Sequence, residues 1–372
     1  MNFEYSDEQQ QLADSLGKYL VGHYDFEQRK AIVDSASGCS ETVWADLAAM
    51  GLTAIAVPEA DGGFGGGALD LMAAMEACGQ ALVVEPLLDH VGLGGRLVGS
   101  AGSALQRSVL MPGVIDGSRR LSFAYLEPGR RYETAPLTTT AQPRAGGWVL
   151  DGSKCVVFGA SQAQQLLVSA HTTDGASLFI VDTTATGVTL NPSRTVDGQR
   201  VADVRFDEVA LGADALLGVA GTAQPHIDEA VDFATALLCA EAVGAMKDAN
   251  DATLAYLKTR KQFGVVIGSF QVLQHRIVEC VIAAEQARSM AILAASKVDQ
   301  AGSPAERARA VSAAKVKIAD AARQISQEAV QLHGGMGMSE ELKISHTFRR
   351  LTMIAQRFGD ADHHLERYAS LG

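Results

Sequence analysis

The sequence predicts an α+β chain in three parts: a helical domain over residues 1–120, an antiparallel β domain over 121–219 and a helical bundle domain over 220–372. Three changes of texture carry this reading. Apolar residues recur at helical spacing at the start, short β-rich runs take over near residue 121, and long alanine-rich segments follow from about residue 220. A chain of 372 residues, 47% of them hydrophobic, has material for two or three cores.

Ser6 followed by Gln9 forms a capping box, after which Leu12, Leu16, Tyr19 and Leu20 repeat at helical spacing. Ser40 can cap a second helix carrying Val43, Trp44 and Leu47. "PEADGGFGGG" (Pro58 to Gly67) breaks the pattern, a further apolar helix runs through Leu71, Met75 and Cys78, and "SALQRSVLMPGVIDG" ends the region. "DGGFGGG" has the glycine content of a phosphate loop. It follows no strand and lacks the GxxxxGK[ST] spacing, so a helix-to-helix turn is the better reading.

In the middle, "RLSFAYL", "GWVLDG", "CVVFGA", "QLLVSA", "SLFIVD", "GVTL" and "VADVRF" are separated by Gly, Asp, Pro or Thr, the spacing of an antiparallel β domain with Trp148 and Phe158 in its core. Helical segments then run at roughly 224–259, 269–300, 304–333, 340–357 and 361–370. Four such helices suffice for an antiparallel four-helix bundle.

The net charge of −12, with no basic stripe, argues against nonspecific nucleic-acid binding. Cys39, Cys78, Cys155, Cys239 and Cys280 are far apart and form no CxxC, which fits a reducing cytoplasm without disulfides or a zinc site. The acidic start has no apolar core and does not read as a signal peptide. No run approaches the ~18 apolar residues that span a membrane.

Three stretches could carry chemistry. In "TRKQFGVVIGSFQVLQHR" (Thr259 to Arg276), Arg260 can neutralise a phosphate, and Gln262 and Gln274 offer amides; an ordinary helix hairpin with polar surface residues fits the same spacing. In "QLHGGMGMSEE" (Gln331 to Glu341), Gly334, Gly335 and Gly337 allow close backbone approach beside Gln331 and His333, or simply cap a helix. In "RFGDADHHLER" (Arg357 to Arg367), Asp360 and His364 are one turn apart. No further ligand cluster is evident, so no metal is expected: Gly359 ends one helix, Asp360 caps the next and Asp362 stabilises its first turn.

Taken together, "RKQFG", "FQVLQ" and, about sixty residues on, "QLHGGMGM" resemble the acyl-CoA dehydrogenase family over essentially the whole chain. "PEADGGFGGG" and "DGSKCVVFGA" are similar to that family's N-terminal glycine loop and its β segment beside the flavin. "YDFEQRK", "CAEAVGAM" and "RLTMIAQRFGDADHHL" are similar to the small subunit of the pimeloyl-CoA dehydrogenase subgroup. The resemblance implies the acyl-CoA dehydrogenase fold, FAD and an acyl-CoA substrate. A carboxylate removes the α proton, the β hydrogen leaves as hydride, and electrons pass to an electron-transfer flavoprotein.

In that family one subunit holds the ADP portion of a flavin whose ring sits in its neighbour. Carried over, this nominates Arg260, Gln262, Phe263, Phe270, Gln274, Gln331, Gly334 and Gly335. The flavin-side motif T-E-P-x-A-G-S-D is here "LEPGRRYE": Glu127 and Pro128 remain, Leu126 replaces Thr, and Gly-Ser-Asp is absent. The W-[IV]-[ST]-[NG] segment is "VVFGAS" (Val156 to Ser161), without the Trp or the hydroxyl. The catalytic Glu falls on Phe358, and its alternative position on Ala234. Glu241, two turns past Ala234, and Asp360, two residues past Phe358, are candidate substitutes, whereas Asp232 points elsewhere.

The resemblance therefore implies the small subunit of an α2β2 enzyme that gives the ADP-side half of the FAD site to a second acyl-CoA dehydrogenase subunit. The alternatives are a complete homomeric enzyme with a displaced base, and a non-catalytic acyl-CoA- or FAD-binding scaffold. The implied substrate is a dicarboxylyl-CoA such as pimeloyl-CoA or a steroid side-chain thioester. Arg130 and Arg131 could face an anionic substrate end or solvent.

Overall fold

The computed structural model describes residues 5–300 and 302–371. Six α-helices come first: α1 (Asp7–His23), α2 (Phe26–Asp34), α3 (Glu41–Ala49), α4 (Ala68–Ala81), α5 (Arg96–Ala101) and α6 (Ala104–Ile115). Strands follow: β1 (Leu121–Ala124), β2 (Thr140–Arg144), β3 (Gly147–Phe158), β4 (Gln165–Thr172), β5 (Gly175–Asp182), β6 (Val188–Arg194), β7 (Arg200–Gly212) and β8 (Leu216–Leu217). The last part is α7 (Gln224–Thr259), a short hairpin β9 (Lys261–Gln262) and β10 (Val265–Val266), α8 (Gln271–Asp299), α9 (Pro304–His333), α10 (Lys343–Gln356) and α11 (Ala361–Ser370). Two compact units form. One comprises the segment up to Lys30, Ala68–Val83 and everything from Thr235; the other comprises Ala31–Gly67 and Val84–Ala234.

The helix starts read from sequence are made by the residues expected. Ser6 and Gln9 close a reciprocal capping box, Ser40 accepts from the Val43 amide, and Asp360 accepts from the His363 amide. Helix α2 was not foreseen. Its signal is a second reciprocal pair, in which the Gln28 amide donates to Asp25 Oδ1 at 2.8 Å and the Asp25 amide to Gln28 Oε1 at 2.9 Å. Also unforeseen is a fully buried π-helical stretch, Leu88–Gly95, wound around the buried His90. "DGGFGGG" is a helix-to-helix turn. The amides of Gly62, Gly63, Phe64, Gly65 and Gly66 all donate to carbonyls between Ala54 and Glu59, which leaves no cradle of amides for a phosphate.

The sheet has the order β6-β7-β3-β2-β4-β5-β8, with β1 paired to β4. Its pairing is antiparallel with one correction to the expectation: β1 runs parallel to β4, and β2 meets β4 in parallel at a single pair. The long connection from Ala124 to Gln165 is what permits this, since parallel neighbours cannot be joined by a hairpin. Leu150, Leu166, Phe179, Val204 and Phe206 form its core. Trp148 packs edge-on against Phe179 at 5.3 Å from only a half-buried position, and Phe158 is likewise half-buried.

In the first unit, α9 packs on α8, α10 and α11. Asp299 at the end of α8 accepts hydrogen bonds from the Ala68 and Leu69 amides at 2.7 and 2.9 Å, placing a carboxylate on the first turn of α4. The tightest contact is between α4 and α7. A Cβ on Gly79 would collide with the Glu241 carbonyl, and a Cβ on Gly244 would collide with the Glu76 carbonyl. Either helix can approach the other only because both positions lack side chains. Gly244→Ala is accordingly expected to destabilise the chain by about 3 kcal/mol, read as a lowered urea midpoint at unchanged slope.

Candidate functional site

The eight nominated cofactor residues lie in two segments that the fold brings together. The ring of Tyr256, near the end of α7, stacks on His333 at the end of α9 with centroids 4.4 Å apart. His333 Nδ1 lies 2.8 Å from the Ala329 carbonyl, and burial lowers its pKa below the usual histidine range. From this junction the chain runs into the hairpin on one side and into Gly334 and Gly335 on the other.

The hairpin turns through Phe263 and Gly264, both with positive φ (55° and 80°), between the paired Gln262 and Val265. Such two-residue turns favour Asn-Gly. A phenylalanine held there costs about 1 kcal/mol or more, and Phe263 is also 89% exposed. Phe263 is thus both strained and largely unburied, and among the described residues its ring packing is confined to one aromatic contact. Its ring meets Phe270 edge-to-face at 6.2 Å. Arg260 is exposed and has no ion-pair partner among the described residues. One amide donor of Gln274 is engaged by the Gly268 carbonyl at 2.8 Å, and one of Gln262 by the Lys261 carbonyl at 2.9 Å. Gln331, Gly334 and Gly335 are exposed, and a Cβ on either glycine would meet open space. The set offers two aromatic faces for a base, a guanidinium for a pyrophosphate and a bare backbone for close approach, so these residues fit an ADP moiety.

The opposite half is built differently. Glu127 is fully buried and closes the loop that follows it: its carboxylate accepts from the Thr138 amide and hydroxyl, both at 2.6 Å, from the Thr139 amide at 2.9 Å and from Lys154 Nζ at 2.8 Å. Lys154 also donates to the Tyr125 carbonyl at 3.3 Å and Ser169 Oγ at 3.0 Å. Burial pushes the Glu127 carboxyl up, but the Lys154, Thr138 and Thr139 donors outweigh it and hold it at about 2. Arg130 pairs with Glu133 at 3.4 Å, and Arg131 lies over the Tyr132 ring. Val156 sits in a bulge at φ 50°, its amide donating to Asp203 at 2.9 Å, and Phe158 stands where a hydroxyl is expected.

Neither base position carries a carboxylate. Phe358 is buried at φ 61° with the Arg357 guanidinium 4.8 Å over its ring. The turn around it is held from beneath. Lys315 Nζ donates to the Gly359 carbonyl at 2.6 Å and to the Ala355 carbonyl at 3.1 Å, and His364 Nε2 lies 3.2 Å from the Phe358 carbonyl. Burial, then the nearby Lys315, press the His364 pKa down to about 3, so the ring stays neutral and structural. No group of His, Cys, Asp and Glu able to hold a metal occurs among the described residues. Ala234 is buried in the other unit, where Gly92 packs against it. Glu241 is buried and bound by Arg350, whose Nε lies 2.6 Å from its Oε1; Asp232 is also buried. Asp360 is engaged as the cap of α11. Sequence reasoning missed Lys315 and Arg350, because each lies among the apolar positions of an otherwise ordinary helix.

Comparison with known proteins matches each region to a domain of one family: residues 6–118 to the acyl-CoA dehydrogenase N-terminal domain, 122–209 to its middle domain and 224–369 to its C-terminal domain. The chain is 32% identical to acyl-CoA dehydrogenase fadE12 of Mycobacterium bovis over 95% of this chain and 93% of that one. Among solved structures, a variant of the Tcur3481-Tcur3483 steroid ACAD aligns with a TM-score of 0.87 at 32% identity, covering 98% of this chain and 97% of that one. The ChsE4-ChsE5 complex of Mycobacterium tuberculosis shares the fold, with a TM-score of 0.91 at 23% identity over 100% and 98% of the two chains.

The chain belongs to the acyl-CoA dehydrogenase family, the FAD-dependent oxidoreductases that act on the CH–CH bond of acyl-CoA thioesters. Its three-domain fold, helical, β and helical, is that family's. No helix among the described residues is long and apolar enough to cross a membrane.

Two outcomes test the two halves. Lys154→Met strands a buried carboxylate and is expected to cost about 3–5 kcal/mol in denaturant unfolding. Because the Glu127 pKa is depressed, its contribution is complete above its ordinary 4.5 and is lost as pH falls through about 2, which an acid titration of β-domain fluorescence would follow. Phe263→Asn relieves the turn, so the melting temperature of the chain is expected to hold or rise in a thermal unfolding scan.

Proposed function

We propose that this chain is the small subunit of a heteromeric, α2β2 acyl-CoA dehydrogenase, giving the ADP-side half of the FAD site to a second acyl-CoA dehydrogenase subunit that carries the flavin-ring motifs and the catalytic Glu. The observation that carries this reading is the contrast between the halves. Arg260, Phe263, Phe270, Gly334 and Gly335 stand open to a partner. On the other side, both base positions hold apolar side chains, and the nearby acids Glu241 and Asp360 are committed to Arg350 and to a helix cap.

Bound FAD would supply the hydride acceptor for the β hydrogen. The partner's carboxylate would take the α proton, and this chain would contribute the cation, aromatic faces and glycine backbone that anchor the cofactor's ADP end. An electron-transfer flavoprotein would reoxidise the assembly in the cytoplasm. The 32% identity to a protein described as a steroid ACAD variant favours a bulky steroid side-chain thioester over pimeloyl-CoA.

The test is to purify the chain alone and co-expressed with the acyl-CoA dehydrogenase chain encoded beside it, and to record flavin content and turnover with both thioesters. The chain alone should retain little FAD and turn over neither substrate, whereas the pair should do both. Stoichiometric FAD with turnover by the chain alone would overturn the reading. Glu241→Gln is expected to lower stability by about 3 kcal/mol, through loss of a buried ion pair, while leaving turnover per folded enzyme unchanged. A loss of turnover would instead favour the displaced base.

A further inference from the structure

A cleft of about 290 Å³ lies wholly within the first unit, where the end of α1 and the start of α2 meet α4, α7 and α10. None of the residues nominated for the cofactor lines it. Ligand pockets begin at roughly 300 Å³, so the space suits one small molecule. Its walls are largely apolar. Leu20 and Tyr24 are buried there, Phe26 stands beside them, and Val21 is 81% exposed. The polar end is an ion pair that is only partly used. Lys343 Nζ donates to the Gln80 carbonyl at 2.6 Å and to Asp248 Oδ1 at 2.9 Å. The other Asp248 oxygen accepts nothing from the described residues, and the Gln80 side-chain amide makes no hydrogen bond among them. Burial raises the Asp248 carboxyl above the usual carboxylate range even though Lys343 opposes the shift. Lys343 alone therefore leaves this carboxylate short of compensating charge.

We propose that this cleft binds a small primary amine carrying an aromatic or branched apolar body, with the ammonium at Asp248 and the body against Val21, Tyr24 and Phe26. Charge selects the head group. The cleft is lined by two acids, Asp25 and Asp248, and one base, Lys343. A cation makes up the missing charge, whereas an anion reaches Lys343 only beside two carboxylates. An ammonium also has the donors that the free Asp248 oxygen and the Gln80 carbonyl group of the side chain can accept. Lys30 lies 5.5 Å from the Phe26 ring centroid, but it is paired with Glu27 at 3.2 Å and does not line the cleft. The walls select the body. A bare cation would leave Val21 and the ring edges in water, and covering them adds the apolar term. This site holds whether the chain works alone or as a subunit.

The test is a ligand-observed NMR titration of the full chain, at neutral pH, with phenethylamine, phenethyl alcohol and hydrocinnamate, which share a ring and differ in charge. Phenethylamine should saturate a single site and bind about tenfold tighter than the alcohol, with the carboxylate weaker still. Asp248→Asn should remove the preference for amine over alcohol. Val21→Ser, at an exposed position where folding is not at risk, should weaken amine and alcohol alike by about threefold. Three results overturn the proposal: no saturable binding of the amine, equal affinities for amine and alcohol in the wild type, or a preference that survives in an Asp248→Asn chain shown to be folded by circular dichroism. Should Asp248→Asn unfold, the wild-type series and Val21→Ser decide alone. An amine whose affinity is untouched by Val21→Ser is bound elsewhere, and the proposed site falls.

Discussion

Where α4 meets α7, two helix backbones touch, and much of the first unit is referred to that contact. Gly79 lies on the Glu241 carbonyl and Gly244 on the Glu76 carbonyl, so each helix supplies the gap the other fills. The residues at the crossing are then used a second time. The Glu241 side chain reaches Arg350 on α10, and the Glu76 side chain accepts from the Tyr5 hydroxyl at 2.6 Å and pairs with Arg288 on α8. Four helices are thus fixed by one close approach and two carboxylates. That is a physical reason for Glu241 to be where it is without any catalytic role.

Local signals in this sequence were legible, and distant ones were not. Ser6, Ser40 and Asp360 cap helices through neighbours three residues away, and the five C-terminal helices begin and end close to where their glycines, prolines and caps indicate. What escaped were the buried cations. Arg350 meets Glu241 across 109 residues, Lys315 meets the Gly359 carbonyl across 44, and Lys154 meets Glu127 across 27. Nothing in periodicity separates a lysine that snorkels to solvent from one that threads inward to a carbonyl. The parallel pairing of β1 with β4 escaped for the same reason, since it is made over a long connection and not in a turn. Of the site, the residue types were readable in sequence. That Phe263 is held out at a strained turn, and that Gln262 and Gln274 already bond to backbone, was not.

The turn around Phe358 is held on several sides by structure alone. Three of its carbonyls, those of Ala355, Phe358 and Gly359, face Lys315 and His364, and the ring itself lies under Arg357. The adjacent histidines that suggest a ligand pair are divided in role: His364 is buried behind the turn, and the His363 amide serves the cap of α11. A carboxylate at residue 358 would stand among groups arranged for an aromatic ring, with the Arg357 guanidinium at its face.

The Glu127–Lys154 pair has a further consequence, for how this sequence could change. The clamp fastens the base of the loop between Pro128 and Thr138 to buried groups on and beside β2, β3 and β4, so the sheet is indifferent to what the loop tip contains. Substitutions there have no core to disrupt. A lineage could therefore rewrite the loop tip, residue by residue, without ever passing through an unfolded intermediate sequence. The clamp uncouples inheritance of the β domain's shape from inheritance of the residues at its exposed tip.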